Sequence, residues 1–140
     1  MKGASLFTQY IGEPPHVGWF ATKDLGKWVN GKLEIRGRKD WMFISGGENI
    51  QPEEIEMHLL NIDGVIDAAI VAKDDPEYGK RIVAIVSSQK MFDLAHLHAH
   101  LSAHLPKYKF PKELHQLPEI PKKSNGKIDR FILSQLINNK

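Results

Sequence analysis

Four short stretches carry side chains whose types and spacing could do chemistry. Asp24 stands just before a hairpin signal, where a carboxylate could accept two hydrogen bonds from a vicinal diol such as ribose; a turn aspartate bonding its own backbone is the plainer alternative. Gly46-Gly47 leaves bare backbone that takes φ > 0 and lets another chain or a slender ligand come close, unless the pair is only a turn between a strand and a helix. His96, His100 and His104 recur at i, i+4 and i+8, so three imidazoles share one helix face. Two such histidines suffice for a divalent metal, but no acidic third ligand lies nearby in the chain, and a solvated face explains the spacing as well. Lys107-Tyr108-Lys109-Phe110-Pro111-Lys112 interleaves cations with aromatic rings and could meet phosphate or stack on a base; it also reads as a surface loop.

Composition narrows these options. The 140 residues carry 19 basic and 17 acidic side chains, a formal charge of +2, so no global field draws the chain to nucleic acid or to a membrane. A nucleic-acid binder using the basic segments 107–112 and 122–130 is the weakest of the function classes considered. Cysteine is absent, which excludes disulfides, thiolate metal sites and a cysteine nucleophile. No apolar run approaches the roughly eighteen residues of a membrane helix, and Met1-Lys2-Gly3-Ala4 does not open a signal peptide, so the cytoplasm is the default expectation.

The elements that must position these residues follow from pattern. Residues 3–11 are β-favouring but begin without a cap or turn, as if cut from something longer, and Gly12-Glu13-Pro14-Pro15 is a loop. Asn30-Gly31 between two alternating segments predicts a hairpin with strands near 26–29 and 32–37. Phe43-Ile44-Ser45 predicts a short strand leading through the glycine pair to a helix opening at Pro52, with Ile55, Leu59 and Ile62 on its inner face and Glu53, Glu54 and Glu56 as charges favouring its N-terminus. Two β-branched runs, 65–72 and 80–86, predict buried strands, with 73–79 as the polar turn between them. A helix over 93–104 follows, capped by Asp93 with Leu94, Leu97, Leu101 and Leu105 as its stripe; Pro106 ends it. A strand over 113–117, a lysine-rich loop over 122–127 and a closing helix with Phe131, Leu133, Leu136 and Ile137 complete the chain. The expected fold class is α+β: an N-terminal β-hairpin, then a small domain with a central sheet of about three strands flanked by helices.

Gly37-Arg38-Lys39-Asp40, an apolar run, and then Ser45-Gly46-Gly47-Glu48-Asn49-Ile50-Gln51-Pro52-Glu53-Glu54-Ile55-Glu56 resemble the hinge motif of the adenylate-forming enzymes, the superfamily of acyl-CoA synthetases, luciferases and peptide synthetase adenylation domains. Trp19-Phe20-Ala21-Thr22-Lys23-Asp24 is similar to that family's Trp-Phe-x-Thr-Gly-Asp segment, with Lys23 at the usual glycine and Ala21 at the usual arginine. Pro121-Lys122 through Gly126-Lys127 resembles its last core motif. The likeness spans nearly the whole chain, and within the superfamily it is greatest toward the o-succinylbenzoate–CoA ligases of menaquinone synthesis.

That resemblance implies a two-step reaction: a carboxylic acid is adenylated by ATP with Mg²⁺, and the CoA thiol then displaces AMP. It assigns Lys127 as the catalytic lysine of the first step, Asp24 and Arg38 to the ribose and phosphate of the nucleotide, Gly46 and Gly47 to the passage for the pantetheine arm, and Asp40 as the hinge. Residues 1–38 would end a large N-terminal domain and residues 39–140 would form a mobile lid. The serine-, threonine- and glycine-rich phosphate loop and the acid pocket, which the family carries upstream, are missing from these residues, and that large domain is the expected partner. Alone, the chain is expected to be inactive. A free-standing binding module with the lid fold is the other reading; a pure scaffold would need neither Asp24 nor Lys127.

Overall fold

Strands buried on both faces set the architecture. The computed structural model describes residues 2–3 and 7–138, so residues 1, 4–6, 139 and 140, including part of the expected β-favouring start, lie outside the described residues. In chain order it holds β1 (Asp24–Val29), β2 (Lys32–Arg38), β3 (Phe43–Ser45), β4 (Glu48–Ile50), α1 (Pro52–Leu59), β5 (Val65–Asp75), β6 (Gly79–Ser88), α2 (Leu94–Leu101), β7 (Glu113–Leu117) and α3 (Arg130–Asn138), with 3-10 turns at Lys39–Trp41 and Lys107–Lys109. The class is α+β, as expected.

The first hairpin matches its signal. Asn30 and Gly31 both take positive φ, +49° and +75°, as the two-residue turn requires, and β1 pairs antiparallel with β2 from Val29↔Lys32 to Asp24↔Arg38. Before it, residues 7–23 form no strand. Phe7, Tyr10, His16 and Phe20 instead gather their rings, with Phe7–Tyr10 centroids 4.5 Å apart and Phe7–Phe20 4.8 Å apart.

The glycine pair differs from expectation. Gly46 and Gly47 close a second hairpin, β3 on β4, rather than leading straight into a helix. Three residues a side are too few to show a period, so the sequence pattern carried no sign of β4.

β5, β6 and β7 form one sheet in that order, antiparallel then parallel. Alternation sorts its side chains: Ile70, Ile82, Ala84 and Val86 pack with Ile55 and Leu59 of α1 and with Leu97 and Leu101 of α2. Val71, Val83 and Ile85 meet Leu133 and Ile137 of α3 on the opposite face, with Ile120. Both faces are thus covered, which is why these strands read as continuous apolar runs. They are also longer than expected, reaching Asp75 and starting at Gly79, so the connecting turn shrinks to residues 76–78.

α1 ends at Leu59, short of Ile62, which packs half-buried on the core. Asp93 caps α2, accepting from the His96 backbone N–H at 2.8 Å. The expected three-histidine face divides. His96 turns its Nδ1 to Asp93 at 3.0 Å, whereas His104 stacks on His58 of α1, centroids 4.7 Å apart, and lies 5.5 Å from His100. No group of three or more metal-ligating side chains is placed to hold an ion among the described residues.

Two outcomes follow from this packing. Leu101 is fully buried between α1 and the sheet, so Leu101→Ala is expected to cost about 2–5 kcal/mol by denaturant unfolding, and a loss below about 1 kcal/mol would mean the α2 face is loosely packed. Burial pushes the His58 imidazole below its ordinary value, His104 and His100 add to this, and Glu54 opposes it. A folded-state value below the unfolded one means that the unfolded chain takes up a proton which the folded chain refuses. Stability should therefore decline as pH falls below about 6.5, the ordinary histidine value. Unfolding midpoints at several pH values between neutrality and mild acid should show a shallower decline in His58→Gln; an identical slope would remove His58 as its source.

Candidate functional site

The residues singled out by sequence occupy three surfaces. The first lies where β1 begins and β2 ends. Their pairing puts Asp24 opposite Arg38, whose Nη1 donates to Asp24 Oδ1 at 3.3 Å while Nη2 donates to Asp40 Oδ2 at 3.0 Å. Lys23 Nζ stands 3.5 Å from Asp40 Oδ1. The Arg38 guanidinium, and after it Lys23, holds the Asp40 carboxyl below the usual carboxylate range. Lys23 takes φ +63°, a left-handed conformation glycine adopts at no cost, so the backbone keeps a glycine-like shape despite the side chain. Gly37 is buried with φ +144°, and a Cβ there would lie 2.2 Å from Gln51 Nε2; this close approach lets Gln51 Nε2 donate to the Arg38 carbonyl at 3.1 Å.

The second surface is the β3–β4 turn. Gly46 and Gly47 take φ +57° and +84°, and the Gly46 N–H donates to the Tyr78 carbonyl at 3.0 Å, tying the turn to the end of the β5–β6 hairpin. A small cleft of about 110 Å³ runs between Gly46, Tyr78, Tyr108 and Lys112, and the Lys112 ammonium lies 5.7 Å from the Tyr78 ring centre. Part of the basic aromatic segment therefore faces the glycine turn, a proximity that sequence spacing does not show.

The third is the Lys127 loop. A bridge between Lys122 and Ile128 closes it; Lys123 N–H donates to the Lys127 carbonyl, Gly126 N–H to the Lys123 carbonyl, and Lys127 N–H to Asn125 Oδ1. The Lys127 side chain is exposed, and no ion pair engages it among the described residues. Lys122 Nζ pairs with Asp67 Oδ2 at 2.7 Å and pins the start of the loop to β5.

Two functional-looking residues escaped the sequence reading. Glu56, taken as a helix-end charge, is buried: it pairs with Arg130 and accepts from the Ile70 N–H at 2.6 Å. A signal existed, because Pro52, Ile55, Glu56 and Leu59 form one buried stripe at helical spacing, and a carboxylate in such a stripe requires a partner. Trp41 is the other, its ring 5.4 Å from the Arg130 guanidinium carbon. Trp41, Phe43, Lys80, Lys123, Arg130 and Phe131 line an open cleft of about 590 Å³ beside Asp40.

Known proteins share this arrangement of chain. Sulfoacetate–CoA ligase of Cupriavidus necator is 39% identical over 95% of this chain, and 2-succinylbenzoate–CoA ligase of Listeria monocytogenes 38% over 96%; the aligned stretch is 28% and 30% of their lengths. Among solved structures, the o-succinylbenzoate CoA synthetase of Bacillus subtilis, in complex with the acyl-adenylate OSB-AMP, superposes with a TM-score of 0.77 at 33% identity over 84% of this chain and 25% of that one. A Mycobacterium tuberculosis fatty acyl CoA synthetase gives 0.74 at 33% identity over 87% and 25%. The chain thus spans less than a third of the length of these relatives. The description "AMP-binding enzyme C-terminal domain" fits residues 54–127, more than half of the chain, from the first turn of α1 to the exposed lysine of the third surface, and the chain belongs to that family.

Proposed function

We propose that this chain is the closing part of an ATP-dependent, AMP-forming acid–CoA ligase, with residues 1–38 finishing a large N-terminal domain and residues 39–140 forming its mobile lid. The observation that carries the reading is Lys127: an ammonium with no ion-pair partner among the described residues, presented on a hydrogen-bonded loop at the end of the family match.

Adenylation brings a carboxylate oxygen onto the α-phosphate of ATP, two anions approaching while charge spreads over the phosphoryl oxygens; the bond from the α-phosphorus to the α,β-bridging oxygen breaks and pyrophosphate leaves. An ammonium fixed at that point lowers the barrier electrostatically, by several kcal/mol in a water-excluded site. Lysine suits this as a compact point charge that fits between carboxylate and phosphate. Arg38 binds Asp24 through Oδ1 and leaves Oδ2 to accept from the ribose hydroxyls, while Arg38 itself adds positive charge beside the phosphates. In the second step the lid turns about Asp40 and replaces Lys127 with the Gly46-Gly47 turn, whose bare backbone beside Tyr78 lines the path of the CoA arm. The thiol attacks the acyl carbonyl, and AMP leaves. Mg²⁺ accompanies ATP and is held by the upstream domain, so no residue of this chain is given to it.

The acid is set upstream as well. Relatives of nearly equal identity carry names with sulfoacetate and 2-succinylbenzoate, so the lid is compatible with different acids. We assign o-succinylbenzoate as the acid to test first, with other aryl and fatty acids as alternatives, and the cytoplasm as compartment. No helix among the described residues is long and apolar enough to cross a membrane.

In the complete enzyme, Lys127→Ala is expected to slow adenylation by about 10²–10³-fold, read as pyrophosphate release, while CoA thioester formation from supplied acyl-adenylate stays within about twofold of wild type. Equal loss of both half-reactions would sink the assignment.

A further inference from the structure

We propose that Arg130, held by Glu56, is a positioning residue that sets where the Lys127 loop stands relative to the hinge. Both terminal nitrogens of its guanidinium are committed. Nη1 donates to Glu56 Oε1 and to the Ile70 carbonyl, both at 2.7 Å, and Nη2 donates to Glu56 Oε2 at 2.8 Å. Glu56 Oε1 also accepts from the Ile70 N–H. One carboxylate and one guanidinium therefore tie α1, the middle of β5 and the first residue of α3, with side chains only 9% and 12% exposed. The Trp41 ring completes the surroundings. Trp41 is the neighbour of Asp40, and Arg130 is three residues past Lys127, so this contact joins the two functional segments through one planar cation.

Stability is a poor account of such a pair. Buried ion pairs are often replaceable by apolar side chains of similar volume with little loss, because desolvation offsets their attraction. What the pair supplies is direction: a bidentate fork fixes angle as well as distance. The loop needs that, since residues 122–127 are exposed and the remaining ties are a few backbone bonds and the Lys122–Asp67 pair. A displacement of about 1 Å at a reacting group can cost about a hundredfold in rate.

The catalytic consequence rests on the role proposed for Lys127; the mechanical claim does not, and the two are separable. In the complete protein, Glu56→Leu/Arg130→Met removes the fork while leaving an apolar pair of similar bulk. We expect amide hydrogen exchange at Lys123, Gly126 and Asp129, all hydrogen-bonded within the loop, to accelerate about tenfold or more while β5 and β6 amides keep their protection. Adenylation should fall about tenfold or more, with thioester formation from supplied acyl-adenylate within about twofold. Arg130→Lys, which keeps the charge but not the fork, should show the same pattern more weakly, and it carries the test should the double variant fail to fold. Unchanged exchange across 123–129 in a folded variant overturns the proposal whatever the activity. Accelerated exchange beside a Lys127→Ala enzyme that still adenylates would uphold the positioning and remove the catalytic role of Lys127.

Discussion

Burial of β5 and β6 on both faces is the constraint on which the rest of this structure depends. Once Ile70, Ile82 and Val86 are sealed by α1 and α2, and Val71, Val83 and Ile85 by α3, the middle of β5 and β6 has no room for an unpaired charge. Polar groups are driven to its ends and to the turns around it. That is where the three candidate surfaces lie: the glycine turn hydrogen-bonded to Tyr78 in the β5–β6 connection, the Lys127 loop pinned to Asp67 near the start of β5, and the Asp24–Arg38–Asp40 cluster before the sheet begins. The three candidate surfaces thus lie around one sheet covered on both faces.

The exception inside the core is Glu56 with Arg130. It stands where an apolar pair would serve packing, and its geometry relates three elements that hydrophobic contact alone leaves free to slide. Hydrophobic burial is non-directional, so it decides that α3 covers the sheet without deciding the position of its first residue. The ion pair decides that position, and Lys127 is three residues before it.

Much of the fold was legible because it is local or periodic. The Asn30-Gly31 turn, the Asp93 cap and the apolar runs of β5 and β6 each announce themselves within a few residues. What stayed hidden depends on partners distant in the chain. The three-histidine face divides because His58, on another helix, offers His104 a flat ring to stack on. Glu56 looked like a helix-end charge because its partner lies near the other end of the chain, and Lys109, in an apparently surface basic segment, pairs with Glu54 of α1 at 2.5 Å. The β3–β4 hairpin is hidden for a different reason: its strands are shorter than one readable period. Motif likeness singled out Asp24, Arg38, Asp40, Gly46, Gly47 and Lys127, but it gave no hint that Arg38 joins Asp24 to Asp40.

That junction bears on where the chain would turn. Arg38, Asp24, Asp40 and Lys23 are joined by exposed pairs, which contribute little against water and salt. Beyond Asp40 the contacts change character: Trp41 lies against Arg130, whose other partners are buried. The 3-10 turn Lys39–Trp41 lies between these two kinds of contact. Two half-buried bonds cross this boundary, Gln51 Nε2 to the Arg38 carbonyl and the Arg38 N–H to Glu53 Oε1 at 3.3 Å, and a rotation at Asp40 must exchange both for water. Neither is strong: the second is long, and solvent replaces each at small net loss. The ties across this boundary are thus few and partly solvated, whereas Arg130, beside Trp41, is held by the buried Glu56.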